Sequence, residues 1–123
     1  MNNWLDIKEG DVVYADIPNA IGHQQGGRRY FLIVSNNIGN KYSGMVRGIP
    51  FTSQNKKPIP THVYYTAGEG GLPKDSILLS ECIWDINKDQ IIKVVGHFNK
   101  DQMIRAAKAT VIMMPFVSLA NCG

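Results

Sequence analysis

Cysteine is scarce in this sequence, and long apolar runs are absent from it. Only two of the 123 residues are cysteines, Cys82 and Cys122, and they form neither a metal-binding spacing nor a disulfide framework. We interpret Cys82 as a small buried side chain and Cys122 as a thiol of the tail. No apolar run approaches the roughly 18–20 residues that cross a bilayer. We therefore expect no membrane-bound segment.

The first 16 residues also lack the basic and apolar character of a secretory leader. They contain one base, Lys8, and four acids: Asp6, Glu9, Asp11 and Asp16. We therefore expect a protein that is not exported and that acts in the cytoplasm. A length of 123 residues fits a single domain, residues 1–123, with a modest core.

Familiar catalytic and metal-binding motifs are missing as well. The sequence has no phosphate-binding P-loop, no GxSxG, no HExxH and no CxxC pair. The three histidines, His23, His62 and His97, are far apart, and none has an acidic or thiol companion at short range. This argues against a metalloenzyme, although a site assembled in three dimensions stays open.

Acidic residues are absent from residues 17–68. This segment carries six basic residues: Arg28, Arg29, Lys41, Arg47, Lys56 and Lys57. Its net charge is therefore +6, whereas residues 1–16 sum to −3 and residues 69–123 to zero. Such a block is a candidate face for a polyanion. Charge alone does not separate this reading from bases scattered over a solvated surface.

The apolar pattern predicts short strands and one terminal helix. We predict strands at 12–16, 30–35, 45–52, 62–65, 76–83 and 91–97, with turns or loops between them. Residues 30–35 read as a central strand buried on both faces. Pro50 places its strand near an edge or a bulge. Residues 18–29 read as a long mobile loop and 36–44 as a turn or loop.

The end of the chain changes to a helical period. Asn99 is a plausible N-cap with Gln102 three residues later, and apolar residues recur at Met103, Ala107 and Val111. We predict one helix over about 100–114. Short strands followed by one helix favour a small twisted antiparallel barrel or half-barrel that the helix closes on one side.

Paired arginines lie between a glycine-rich loop and a strand in "GHQQGGRRYFLIV", residues 22–34. Arg29 at a strand start could bind a phosphate through two hydrogen bonds. The preceding glycines would let backbone and substrate approach closely. The alternative is a surface arginine stacked on Tyr30.

Four stretches in order resemble one known family. They are "GDVVYAD" at 10–16, "GHQQGGRRYFLIVSNNIGNKYSG" at 22–44, "IPFTSQNKKPIPTHV" at 49–63 and "LPKDSILLSECIWDINKDQI" at 72–91. Together they resemble the MazF/PemK toxin endoribonucleases of type II toxin–antitoxin systems. The resemblance implies a mainly β, SH3-like barrel with a C-terminal helix, of the CcdB/PemK kind. It also implies a homodimer, a cognate antitoxin, and cleavage of single-stranded RNA without a metal or other cofactor.

The resemblance also implies a set of site residues. It assigns the catalytic roles to Arg29 and Thr52, with His23 as candidate acid or base or, equally, a loop histidine that contacts solvent or phosphate. The expected RNA-binding residues are Gln25, Gly27, Arg28, Ser53, Lys56, Lys57, His62 and Glu81. The RNA 2′-hydroxyl would attack the adjacent phosphorus and leave a 2′,3′-cyclic phosphate. Which residue acts as the general base stays open.

Other residues of the basic block have expected roles beside these. Arg47 would contact phosphates, as Lys56 and Lys57 would, without reading bases. Four aromatic residues could stack bases: Tyr30, Phe51, Tyr64 and Tyr65. For the three tyrosines, the core is the more ordinary place. Glu81 could orient an arginine, and a buried or interface carboxylate is the plainer reading.

Departures from the family pattern leave two other functions open. Relatives have proline where Tyr30 stands, and many read EQIRT where this chain reads "ECIWD", residues 81–85. These changes allow a catalytically degenerate member that only binds. A gyrase-poison-like toxin, acting by protein binding through its C-terminal helix, is the third class. It ranks lower because the tail offers only Phe116 and Leu119 as apolar anchors.

Overall fold

A computed structural model of the protein describes residues 6–18, 27–53 and 61–113. The strands are β1 Asp11–Ile17, β2 Gly27–Ile33, β3 Met45–Thr52, β4 His62–Tyr65, β5 Ser76–Leu79, β6 Trp84–Asn87 and β7 Ile91–His97. The α-helices are α1 Asn37–Tyr42 and α2 Lys100–Met113, and single 3₁₀ turns lie at Glu69–Gly71 and Lys88–Gln90. No helix within these ranges is long and apolar enough to cross a membrane.

The strands pair in one antiparallel sheet in the order β4-β5-β3-β2-β1-β7, with β6 paired to β3. Helix α2 packs beside β4. The expected mainly β fold with a C-terminal helix is confirmed. In the described part of the chain it is a twisted sheet and not a closed barrel.

Strand β3 changes partner along its length. Its first half, Met45–Gly48, pairs with β6, whereas Phe51 and Thr52 pair with β5. Pro50 is buried between these two ladders and lies opposite Phe31 of β2. A proline is tolerated there because neither partner strand on that side needs its missing N–H. The prediction placed Pro50 near an edge or a bulge; the edge alternative is wrong, because β3 lies inside the sheet, and Pro50 lies at an interruption of the ladder on one side of β3.

The core lies on both faces of β2. Phe31 and Ile33 join a cluster with Trp84, and Leu32 joins a second cluster with Phe51. Residues 31–33 are fully buried, which confirms the predicted central strand. Alternate side chains of a strand point to opposite faces, so each cluster takes every second residue. Cys82 was interpreted as a small buried side chain; it packs against the first cluster but is only partly buried.

Helix α2 is fixed to the sheet by a polar network around Glu69. The Glu69 carboxylate accepts hydrogen bonds from the backbone of Thr66, from Gln102 and from Arg105. The Tyr65 hydroxyl donates to the Gln102 carbonyl at 2.8 Å, and the Arg105 guanidinium lies 4.4 Å from the Tyr65 ring centroid. Burial raises the pKa of Tyr65 to about 12. Burial would also raise the pKa of Glu69, but these hydrogen bonds and the Arg105 charge outweigh it, so that pKa is lowered.

The 3₁₀ turn at Glu69–Gly71 rests directly on the backbone of β7. A Cβ on Gly96 would lie 2.2 Å from the Gly70 carbonyl oxygen, and one on Gly71 would lie 2.2 Å from that of Val95. Real Cβ atoms do not approach backbone atoms so closely. The contact between turn and strand therefore depends on glycine on both sides.

Several element boundaries differ from those predicted. Strand β2 begins at Gly27, so the two arginines lie inside the strand and not in the preceding loop. The predicted strand at 76–83 ends at Leu79, and β6 begins separately at Trp84. The segment 36–44 contains α1, whose N-cap Asn36 accepts a hydrogen bond from the Gly39 backbone.

The C-terminal helix matches its prediction closely. It covers Lys100–Met113 against the predicted 100–114. Asn99 accepts a hydrogen bond from the Gln102 backbone at 2.9 Å, and the Gln102 side chain accepts one from the Asn99 backbone at 2.7 Å. This reciprocal pair is the predicted capping box.

Candidate functional site

The two arginines of β2 lie on opposite faces of the sheet. Strand β2 pairs with β1 so that Arg29 faces Ala15 and Arg28 faces Asp16. Since side chains alternate, Arg29 shares a face with Phe31 and Trp84, and Arg28 shares the other face with Tyr30. The Arg28 Nε lies 3.7 Å from an Asp16 carboxylate oxygen. The two side chains therefore leave the strand on different faces, although both border the cavity described below.

Arg29 is held against an aromatic ring and has unused hydrogen-bonding capacity. Its guanidinium carbon Cζ lies 5.4 Å from the centroid of the Trp84 ring. Its Nε is buried and has no hydrogen-bond partner among the described residues. An unpartnered buried donor on a permanently charged group is costly. It is also the arrangement in which an anionic ligand would supply the missing acceptor.

The register of β2 and β3 brings Thr52 to the same place. The ladder between these strands ends with the pair Phe31 and Pro50, and Arg29 and Thr52 each lie two residues beyond that pair on their own strand. Both residues then lie on the face that carries Trp84. Arg29 and Thr52 also border one cavity of about 380 Å³. The structure thus brings together two residues that are 23 positions apart in the sequence.

The same cavity has an aromatic and polar lining. Tyr14 and Tyr30 contact each other with ring centroids 4.6 Å apart. The other lining residues are Arg28, Phe51, Ser53, Pro73, Lys74 and Ser76. Arg28 and Ser53 were predicted site residues. Tyr14, Lys74 and Ser76 were not predicted as site residues. The signal that could have indicated them is their position in two of the stretches that resemble the family, "GDVVYAD" and "LPKDS".

The other aromatic residues of the basic block divide between core and surface. Phe51 and Tyr65 are 4% and 1% exposed, so both are core residues. Tyr64 is 49% exposed on β4. Of the four aromatic candidates, Tyr30 and Tyr64 therefore present ring surface that a base could reach.

The altered segment 81–85 contacts several predicted site residues. The Glu81 carboxylate lies 3.2 Å from His62 Nε2 and accepts a hydrogen bond from the Thr61 hydroxyl at 3.2 Å. The His62 side chain is only 5% exposed. These contacts place Glu81 beside a histidine, whereas an arginine was one of its expected partners.

Acids from outside the basic block face two of its bases. Asp16 lies beside Arg28, and Asp85 forms an ion pair with Arg47 at 3.1 Å. The segment lacks acids in sequence, but the folded surface around it does not. The Arg47 pair is well exposed and so contributes little to stability. A phosphate could therefore replace Asp85 at low energetic cost.

Part of the predicted site lies outside the described residues. This holds for His23, Gln25, Lys56 and Lys57. Gly27, at the start of β2, is exposed and has φ of +111°, which is a conformation that glycine adopts readily. Within residues 6–18, 27–53 and 61–113, no group of three or more His, Cys, Asp or Glu could hold a metal ion.

Comparison with known proteins identifies the family. The family described as PemK-like, MazF-like toxin of type II toxin-antitoxin system matches residues 8–114. The chain belongs to this family. It is 33% identical over 112 residues to Endoribonuclease EndoA of Bacillus subtilis (strain 168), a match that covers 90% of this chain and 97% of that relative.

Solved structures of MazF proteins share the fold. MazF (Form-I) from Deinococcus radiodurans superposes with a TM-score of 0.75 at 21% identity, over 89% of this chain and 96% of that one. An endoribonuclease in complex with its cognate antitoxin from mycobacterial species gives a TM-score of 0.71 at 23% identity, over 89% and 95% of the two chains. These likenesses support the fold described above.

Proposed function

We propose that this protein is an endoribonuclease toxin that cleaves single-stranded RNA at short sequences. Membership in the toxin family and the 33% identity to an endoribonuclease support this proposal. The observation that carries it is the position of Arg29 and Thr52, on adjacent strands and at the border of one cavity. The unpartnered Nε of Arg29 adds a buried donor for an anion.

The proposed reaction uses the substrate's own nucleophile. The 2′-hydroxyl oxygen bonds to the adjacent phosphorus and gives its proton to a base. The bond from phosphorus to the 5′-oxygen breaks, and that oxygen takes up a proton. The products are a 2′,3′-cyclic phosphate and a 5′-hydroxyl. No metal ion or other cofactor takes part in this scheme.

Each catalytic side chain has a defined task in the scheme. Arg29 donates hydrogen bonds to the phosphate oxygens on which negative charge builds up, and Thr52 donates one to a non-bridging oxygen. His23 transfers a proton as acid or base. Losing one preorganised donor of this kind typically lowers kcat by about 10²–10³-fold.

The remaining predicted residues would hold the RNA. Arg28, Ser53 and the aromatic lining border the same cavity as Arg29. Gln25, Gly27, Lys56 and Lys57 would contact the backbone around the cut. Glu81 and the nearly buried His62 would border the RNA as a pair. We further propose that the protein is a cytoplasmic homodimer and that a cognate antitoxin protein blocks the RNA site.

The test is cleavage of a long RNA of defined sequence in excess EDTA. The purified protein is compared with Arg29→Ala, Thr52→Ala and the control Lys108→Ala, which removes an exposed charge on α2. We expect discrete cuts ending in a 2′,3′-cyclic phosphate, a loss of about 10²-fold or more in the two site variants, and unchanged cutting by the control.

Three other outcomes would each contradict part of the proposal. Cutting that requires added divalent metal would refute the metal-independent scheme. Undiminished cutting by Arg29→Ala would remove that residue from the mechanism. A folded protein that cuts no RNA but binds its antitoxin would indicate a degenerate member that acts by binding.

A further inference from the structure

Trp84 occupies a place beside the proposed catalytic arginine that its sequence position does not suggest. It is the first residue of β6 and is 6% exposed. Its ring lies 5.4 Å from the Arg29 guanidinium carbon and 5.5 Å from the Phe31 ring centroid, at 57° to that ring. A buried tryptophan thus lies between the apolar core and a charged group.

We propose that Trp84 is a positioning residue for the RNA-cleavage reaction, holding the Arg29 guanidinium in place through its ring face. This inference rests on the proposed function, and it concerns a residue that contacts Arg29 and not the substrate. Trp presents the most favourable ring face for a cation, and burial strengthens the attraction because water does not screen it.

The geometry favours a positioning role over simple packing. The Arg29 Nε has no hydrogen-bond partner among the described residues, so hydrogen bonding at that atom does not fix the side chain. A contact with the ring face uses none of the guanidinium N–H donors. The donors therefore stay available for a phosphate, whereas a carboxylate in the same place would occupy them.

The position of the Trp84 ring is itself well defined. Phe31 packs against it from β2, and β6 is paired to β3 through Gly48 opposite Trp84. A Cβ on Gly48 would lie 2.7 Å from Ile86 and 3.1 Å from Phe31, so the surroundings of this pair are tightly packed. A ring that packs against Phe31 on a paired strand can transmit its position to Arg29.

The first test measures the contact without using activity. The protein has two tryptophans, Trp4 and Trp84, so the measurements use a Trp4→Phe background. The fluorescence emission of Trp84 is compared between the protein that retains Arg29 and the Arg29→Ala variant. We expect a clear change in its intensity or wavelength, because a cation near the ring perturbs the indole. Lys108→Ala should cause no change.

The second test separates positioning from stability by kinetics. Trp84→Phe keeps a ring beside Arg29, and we expect kcat within about threefold of the parent. Trp84→Leu removes the ring, and we expect kcat to fall about tenfold, equivalent to about 1.4 kcal/mol, with KM within about twofold. Ile86→Val is the matched control, since Ile86 is a fully buried residue of the same strand and the same core cluster as Trp84, and it should retain kcat within about threefold.

Each result decides between the two roles. A parental kcat in Trp84→Leu would overturn the positioning role. So would a loss of kcat that is equal in Trp84→Leu and Ile86→Val after correction for the folded fraction. An unchanged Trp84 emission in Arg29→Ala would overturn the contact itself. If the parent protein cuts no RNA, the proposed function fails, and the emission comparison still decides the contact.

Discussion

The contact between the 3₁₀ turn and β7 predicts that replacing a strand glycine by alanine destabilises this protein, which is opposite to the usual effect. Replacing Gly96 by alanine in an open strand should stabilise a protein by about 0.5–1 kcal/mol, because glycine loses more conformational freedom on folding. Gly96 does not have a positive φ, so its backbone conformation is open to alanine. Here, however, the new Cβ would lie 2.2 Å from the Gly70 carbonyl oxygen and 2.9 Å from the Gly71 nitrogen.

The expected result is destabilisation. Both clashing atoms belong to the backbone and cannot rotate away, so the turn or the strand must move. Forced overpacking typically costs about 1–3 kcal/mol, which exceeds the entropic gain. After the entropic gain is subtracted, we expect Gly96→Ala to lower the free energy of unfolding by about 1 kcal/mol.

Denaturant unfolding at a fixed protein concentration measures this change, since self-association would make stability depend on concentration. Gly44→Ala is the matched control, because Gly44 also lacks a positive φ and a Cβ there meets no atom within 4 Å. It should leave stability unchanged or slightly raised. Equal stability of the two variants would refute the steric argument.

Two further predictions concern charged residues. Because the folded-state pKa of Glu69 lies below its usual value of 4.5, its hydrogen bonds stabilise the protein above that pH, and the contribution is lost as pH falls through the lowered pKa. Unfolding curves at pH 7 and between pH 5 and 3 should therefore show a smaller pH dependence for Glu69→Gln than for the parent, and identical pH dependence would contradict this. Arg28→Ala should raise the KM for RNA several-fold while kcat stays within about threefold, because Arg28 lies on the opposite face of β2 from Arg29. Steady-state kinetics measures both constants. A fall in kcat as large as that of Arg29→Ala would contradict this prediction.

Much of the fold could be predicted from local patterns. Strands β3, β4 and β7 have the predicted bounds because each is a β-rich run limited by turn residues. The segment 76–83 was predicted as one strand because the residues after Leu79 are still largely apolar, so the turn there leaves little signal. Helix α1 has only six residues and depends on tertiary contacts: Asn40 within it is buried, and Lys88 donates to its carbonyl oxygen.

The site could be predicted less completely. The resemblance supplied Arg29 and Thr52, but their common face follows from the register of β2 and β3, which no local pattern encodes. The contact of Arg29 with Trp84 joins residues 55 positions apart, and the sequence marks Trp84 only as a departure from the family pattern. Asp16 and Asp85 face the basic block in the folded protein but lie outside it in sequence. The charge pattern of the sequence therefore does not reveal these contacts.

The change of partner along β3 leaves the sheet with a broad ladder on one side and a narrow one on the other. The β4–β5 hairpin joins the rest of the sheet through two residue pairs, Phe51 with Leu78 and Thr52 with Ile77. Local opening free energies vary across a fold and follow such connections. Thr52 belongs to this narrow joint, whereas Arg29 belongs to the broad β1–β2 ladder of six pairs. The second core cluster also joins the hairpin to β2, since Tyr65 and Leu78 pack in it with Leu32. The spacing between the two residues proposed for catalysis therefore depends on this packing as well as on the short ladder.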